Sequence, residues 1–126
     1  MNMYSHIVVG ANDLEVAKTF YDAVMGALGY ASGNAKDDRV IYATEAGILM
    51  VNKPFDGNEA TFGNGVTIGL NASSTDAVDA FHSSGLAAGG SDEGAPGPRP
   101  AIPGSYAAYL RDPTGNKVLA WCMGGD

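Results

Sequence analysis

The sequence is poor in positive charge, carries one cysteine and lacks any long apolar run. Seven Lys and Arg stand against 14 Asp and Glu, a net charge of −7. Without a basic stripe to neutralise phosphates, nucleic acid is not an expected partner. The single Cys122 excludes an internal disulfide, and its apolar surroundings beside Trp121 mark it as an inert strand residue. No apolar segment approaches the ~20 residues of a membrane span, so no membrane partner is expected. The stretch Met1–Gly10 has no basic region ahead of its apolar residues and does not read as a signal peptide. The cytoplasm is the expected location.

Glycine is abundant instead, at 18 of 126 residues, clustered at turns and in one loop. A composition of 45% hydrophobic and 17% charged residues fits one domain with a real core. Met3–Val9, short and rich in β-branched residues, reads as a buried strand. Asn12 is placed to cap a helix, with Glu15 closing a capping box. Leu14, Ala17, Phe20, Tyr21, Val24, Met25 and Leu28 recur at helical spacing up to Gly29. Two strands follow, near Arg39–Thr44 and Gly47–Val51, with a weaker one near Tyr30.

The second half repeats this order. Gly65–Asn71 reads as a strand, and Ser73 or Ser74 caps a helix carrying Val78, Phe81 and Leu86 that ends at Gly89-Gly90. Gly94–Gly104 reads as a Gly/Pro loop. Tyr106–Arg111 and Lys117–Cys122 form a hairpin around Asp112-Pro113-Thr114-Gly115-Asn116. An offset of 61 lays Phe20 on Phe81, Ala27 on Ala88, Gly29 on Gly90, and Ser5–Val8 on Val66–Gly69. A duplicated βαβββ unit explains that offset through strand and helix alike. The expected fold is therefore α+β, two tandem βαβββ modules (1–55 and 65–126, linker 56–64) forming a concave mixed-sheet cleft with helices outside.

The segments His6-Ile7-Val8-Val9, Phe20-Tyr21-Asp22, Phe81-His82 running into Ala88-Gly89-Gly90, and the hairpin Tyr106–Lys117 resemble the vicinal oxygen chelate superfamily. That superfamily groups glyoxalase I, extradiol dioxygenases, and the bleomycin- and fosfomycin-resistance proteins. The resemblance implies a divalent metal held by one side chain from each of four strands, mostly His and Glu. Carried over by position, the first ligand matches His6. The second falls on Thr67 and the last near Leu119, in a stretch without an acid. The remaining strand offers only Ile48, Leu49, Met50 and Val51. One histidine does not make a stable divalent site, so metal is disfavoured. The competing reading pairs His6 with loop acids Glu45, Asp92 or Glu93.

His6 is then the candidate catalytic residue, as a base or hydrogen-bond partner, unless it is a core histidine. Arg99, Tyr106, Tyr109 and Trp121 are candidate ligand-binding residues. Each has a plainer alternative: Arg99 as a solvated loop charge, Trp121 as core, and at most one of the two tyrosines in the cleft because their faces alternate. His82 belongs on an outer helix, in a structural or solvent-facing role. No phosphate loop or nucleophile arrangement is present. Two functions remain. One is a small-molecule binding protein of the resistance or sequestration type, its acidity suited to a cationic guest. The other is a metal-dependent lyase of the glyoxalase I type, or a dioxygenase. The resemblance implies a homodimer in either case.

Overall fold

A computed structural model describes residues 3–124; the first two residues of the Met1–Gly10 stretch lie outside it. The chain runs β1 (His6–Gly10), α1 (Leu14–Ala27), β2 (Asn34–Ala35), β3 (Arg39–Thr44), β4 (Gly47–Asn52), β5 (Ile68–Asn71), α2 (Thr75–Ala87), β6 (Ser91–Pro98), β7 (Ser105–Arg111) and β8 (Lys117–Met123). Two four-stranded sheets result, ordered β1-β4-β3-β2 and β5-β8-β7-β6. In each, the first strand runs parallel to the last and the others pair antiparallel. This is the tandem βαβββ architecture the repeat predicts.

The helices start one repeat apart, at Leu14 and Thr75. They end out of step. The left-handed residue after each cap is Gly29 in the first module and Gly89 in the second, so α2 is shorter by one residue and Gly90 is not the equivalent of Gly29. The caps also differ from expectation. Asp13, not Asn12, caps α1, accepting from the amides of Glu15 and Val16 at 3.0 and 3.1 Å. Asn12 instead clasps the segment between the modules, accepting from the Ala60 amide at 2.6 Å and donating to its carbonyl at 3.3 Å. Ser74 caps α2.

Two strands differ in extent. β1 begins at His6 rather than Met3, and β5 begins at Ile68 rather than Gly65. The predicted Gly/Pro loop is half strand. β6 pairs with β7 from Ser91 to Pro98, with register shifts around Gly94 and Gly97. Backbone hydrogen bonds need no β-forming side chain. Pro96 falls within the shift between Gly94 and Gly97, and Pro98 ends an edge strand opposite Tyr106, positions where a missing N–H is tolerated.

The modules join through their helices. Phe20, Tyr21 and Val24 of α1 are fully buried with Val78 and Phe81 of α2 and Leu110 of β7. Gly85 allows the close approach, since a Cβ there would overlap the Leu110 side chain and reach Val24 and Phe20. Each sheet turns one face to its helix and leaves the other open. On β4, Leu49 and Val51 are buried while Ile48 is exposed and Met50 half-buried.

Across the modules, the buried Asp112 acts as a tie. Its Oδ2 accepts from the Tyr21 hydroxyl at 2.6 Å, and its Oδ1 accepts from the amides of Thr114, Gly115 and Asn116. Burial first, then Asp112, holds the Tyr21 phenol well above its ordinary pKa. No helix among the described residues is long and apolar enough to cross a membrane.

Candidate functional site

The candidate site is a cavity of about 360 Å³ where the first module meets β5. β1 and the start of β4 form one wall, because parallel pairing sets His6 beside Ile48. The turn between β3 and β4 closes one end, held by the Thr44 hydroxyl donating to the Gly47 carbonyl at 2.7 Å. β5 supplies the opposite wall through Ile68, Gly69, Leu70 and Asn71.

Tyr42 reaches this cavity from β3 and is fixed there. Its hydroxyl donates to Asp22 Oδ1 at 2.7 Å, and burial, then this bond, pushes its pKa far up. It is a neutral wall and not an acid or base. Asp22 is committed as well. Burial alone would raise its pKa, but the Gly33 amide, Lys18 and Tyr42 together bring it below the usual carboxylate range. Its oxygens accept from all three, at 2.9, 2.7 and 2.7 Å.

His6 stands exposed at the rim, its Nδ1 2.8 Å from Ser5 Oγ. Among the described residues no carboxylate bonds to it. The only ionisable side chains lining the cavity, among the described residues, are His6 and the phenols of Tyr4, Tyr30 and Tyr42. No carboxylate of the described residues lines this wall, so the cavity offers a cationic guest no direct ion pair. The wall suits an uncharged apolar or aromatic group, with hydrogen bonding at Ser5, His6 and Asn71.

The other candidates are dispersed. Trp121 borders the site indirectly, donating from Nε1 to Asn71 Oδ1 at 3.0 Å. Tyr106 points to the helix side, where its hydroxyl donates to Asp79 Oδ1 at 2.6 Å and Asp79 holds its pKa up. Tyr109 lies on the open sheet face with Arg99 over its ring at 5.5 Å. Neither Tyr106, Tyr109 nor Arg99 lines the cavity. His82 is buried and bonded to Asp92 at 2.8 Å. The cavity residues missed by the sequence are Tyr4, Tyr30, Tyr42 and Asn71. They come from four separate segments, and only the three-dimensional meeting of β1, β3 and β5 unites them.

The residues present do not fit a divalent metal. Ile48 is the partner of His6 on β4, Thr67 lies exposed ahead of β5, and Leu119 sits between Gly69 and Tyr109 in an apolar row. Two of the acids expected in loops, Asp92 and Glu93, lie on β6 instead and are engaged elsewhere, Asp92 with His82 and Glu93 with Arg111 at 2.8 Å each. Glu45 does not line the cavity. Among the described residues, no three His, Cys, Asp or Glu side chains come together, whereas a divalent site ordinarily needs at least three such donors.

Comparison with solved structures places the architecture among known proteins. A glyoxalase/bleomycin resistance protein from Albidiferax ferrireducens T118 is 48% identical, with a TM-score of 0.89 over 95% of this chain and 98% of that one. A glyoxalase-related enzyme from Fulvimarina pelagi (20% identity, TM-score 0.76, 96% and 88% covered) shares the fold. So does a lactoylglutathione lyase from Agrobacterium tumefaciens (23% identity, TM-score 0.66, 96% and 93% covered). No curated protein matches. With the superfamily's sequence pattern matching residues 4–119 as well, the chain belongs to the Glyoxalase/Bleomycin resistance protein/Dioxygenase superfamily.

Proposed function

We propose that this protein binds a small molecule in the cavity between β1, β4 and β5 and holds it without a metal ion, as a sequestering protein does. The observation that carries this reading is the wall itself, aliphatic and aromatic side chains mixed with the polar groups of Ser5, Thr44 and Asn71 and a single histidine. Such a surface can bury a guest, and it offers no second group to share the chemistry of a reaction with His6. At about 360 Å³ the cavity lies at the small end of the ~300–1,000 Å³ typical of ligand sites.

A cytoplasmic homodimer is part of the same proposal. The open sheet faces support the dimer, since they leave large apolar side chains exposed, Val8 and Ile48 on the first sheet and Met123 on the second, that a partner copy would cover. His6 at the rim favours one second reading, a metal-dependent lyase of the glyoxalase I type or a dioxygenase. That reading requires donors from outside the strands.

A thermal-shift series on EDTA-treated protein separates the two. Zn, Ni, Mn and Fe(II), added singly, are expected to leave the melting temperature unchanged. A panel of uncharged aromatic compounds is expected to contain members that raise it saturably, by about 2.7 kcal/mol of stabilisation at 100 times Kd. A saturable rise with a metal that disappears in His6→Ala overturns the metal-free reading. Turnover of a hemithioacetal or a catechol would then be sought.

A further inference from the structure

The open face of the second sheet carries a feature the cavity does not use. Arg99 and Lys117 approach the ring of Tyr109, with Arg99 Cζ at 5.5 Å and Lys117 Nζ at 5.2 Å from its centroid. Neither has a carboxylate within ion-pair distance among the described residues, although acids outnumber bases two to one in the chain. Arg99 is also held in place. Its guanidinium donates to the carbonyls of Ala95, Gly97 and Pro98 at 2.7, 3.0 and 3.2 Å. Gly94 leaves room for it, since a Cβ there would stand 3.3 Å from both the guanidinium and the Tyr109 ring. A ring face compensates each of these charges less than a charge-assisted hydrogen bond to a carboxylate does. Carbonyls fix the guanidinium without neutralising it.

The register connects this cluster to the cavity. Gly69, Leu119, Tyr109 and Gly94 are successive partners across β5, β8, β7 and β6. Gly69 belongs to the cavity wall, and Tyr109 lies two strand spacings away, roughly 10 Å. We infer that Arg99 and Lys117 bind the anionic group, carboxylate or phosphate, of an organic molecule whose apolar body crosses Leu119 into the cavity. The inference rests on the cavity reading and names its guest class as amphipathic organic anions.

Calorimetry with 4-phenylbutanoate, its neutral amide and 4-phenylbutyl phosphate tests it, the third compound separating phosphate from carboxylate. One of the anions is expected to bind at least about tenfold more tightly than the amide. The preference shrinks in Lys117→Gln, which leaves the Arg99 carbonyl contacts intact, and disappears in Lys117→Gln/Arg99→Gln. It also weakens as salt is raised. Equal binding of anions and amide, or a preference unchanged in both variants, overturns the inference. If all three compounds then still bind and are lost in Gly69→Trp, the cavity reading stands alone. Loss of anion binding in the charge variants but not in Gly69→Trp overturns the spanning guest. No binding of any of the three overturns it outright, and the neutral aromatic panel then decides the cavity reading separately.

Discussion

Replacing Asp112 by Asn keeps the shape of the side chain and turns one acceptor into a donor. In the wild-type protein both carboxylate oxygens are surrounded by donors, the Tyr21 hydroxyl and the Asn116 side-chain amide on one, three backbone amides on the other. Whichever way the new amide turns, an N–H group faces another donor. Hydrogen bonds to a charged group contribute about 1.5–3 kcal/mol, and a buried donor left unpaired costs about 1–3 kcal/mol. The Tyr21 hydroxyl has no water to turn to, because the residue is fully buried. Asp112→Asn is therefore expected to lose about 3–4 kcal/mol and Tyr21→Phe about 1–2 kcal/mol. At about 2.1 cal/mol/K per residue the unfolding entropy is roughly 0.26 kcal/mol/K, or about 4 °C per kcal/mol. The melting temperature should fall by about 12–15 °C for Asp112→Asn. Urea titration followed through Trp121, the only tryptophan, gives the free energies at fixed protein concentration. Asp112→Asn within about 1 kcal/mol of wild type would refute the tie. So would strict additivity of the two substitutions, since a shared bond should make the double variant less than the sum.

Two further predictions concern packing and pH. Gly85→Ala gains about 1 kcal/mol of helix propensity. Its Cβ overlaps Leu110 and comes within 3.0 Å of Val24 and 3.2 Å of Phe20, so a net loss of about 1–2 kcal/mol is expected by denaturant titration. Equal or higher stability would mean that the helices separate freely. The Asp92 carboxyl is held below its ordinary range, first by His82 and then by the Gly94 amide. A lowered folded-state pKa contributes stability that is present above the unfolded value near 4 and lost as pH falls through the lowered one. Melting temperatures recorded from pH 5 to pH 2.5 should show an acid limb that flattens in His82→Leu. An unchanged limb would remove the pair from that role.

Most of the fold was legible because its signals are local. Hydrophobic spacing from Leu14 to Leu28 marks α1, the Asp112–Asn116 turn marks the β7–β8 hairpin, and one offset relates the halves. Where the reading failed, the deciding interaction was remote. Asn12 and Asp13 are equally good caps in isolation, and Ala60, 48 residues away, claims Asn12. β6 is a strand because β7 offers it a backbone edge, whatever the composition of Ser91–Pro98 suggests. The site was less legible still. His6 was found from the resemblance, at a strand position that lines the cavity. Tyr42 and Asn71 carry no motif, and their place depends on how β5 seats against the first module.

The blunted outer margins of the two sheets bear on how this protein stays dispersed. β2 is only two residues long, and β6 carries two register shifts, one of them spanning Pro96, and ends at Pro98. Neither margin offers an incoming strand a continuous ladder, which guards against edge-to-edge aggregation. The regular margins that remain are β1 and β5, and both border the cavity. On the proposed function, occupancy of that cavity would be coupled to protection from fibril growth. A bound guest would shield the two margins most able to recruit another strand, so the empty protein should aggregate faster on shaking than the loaded one.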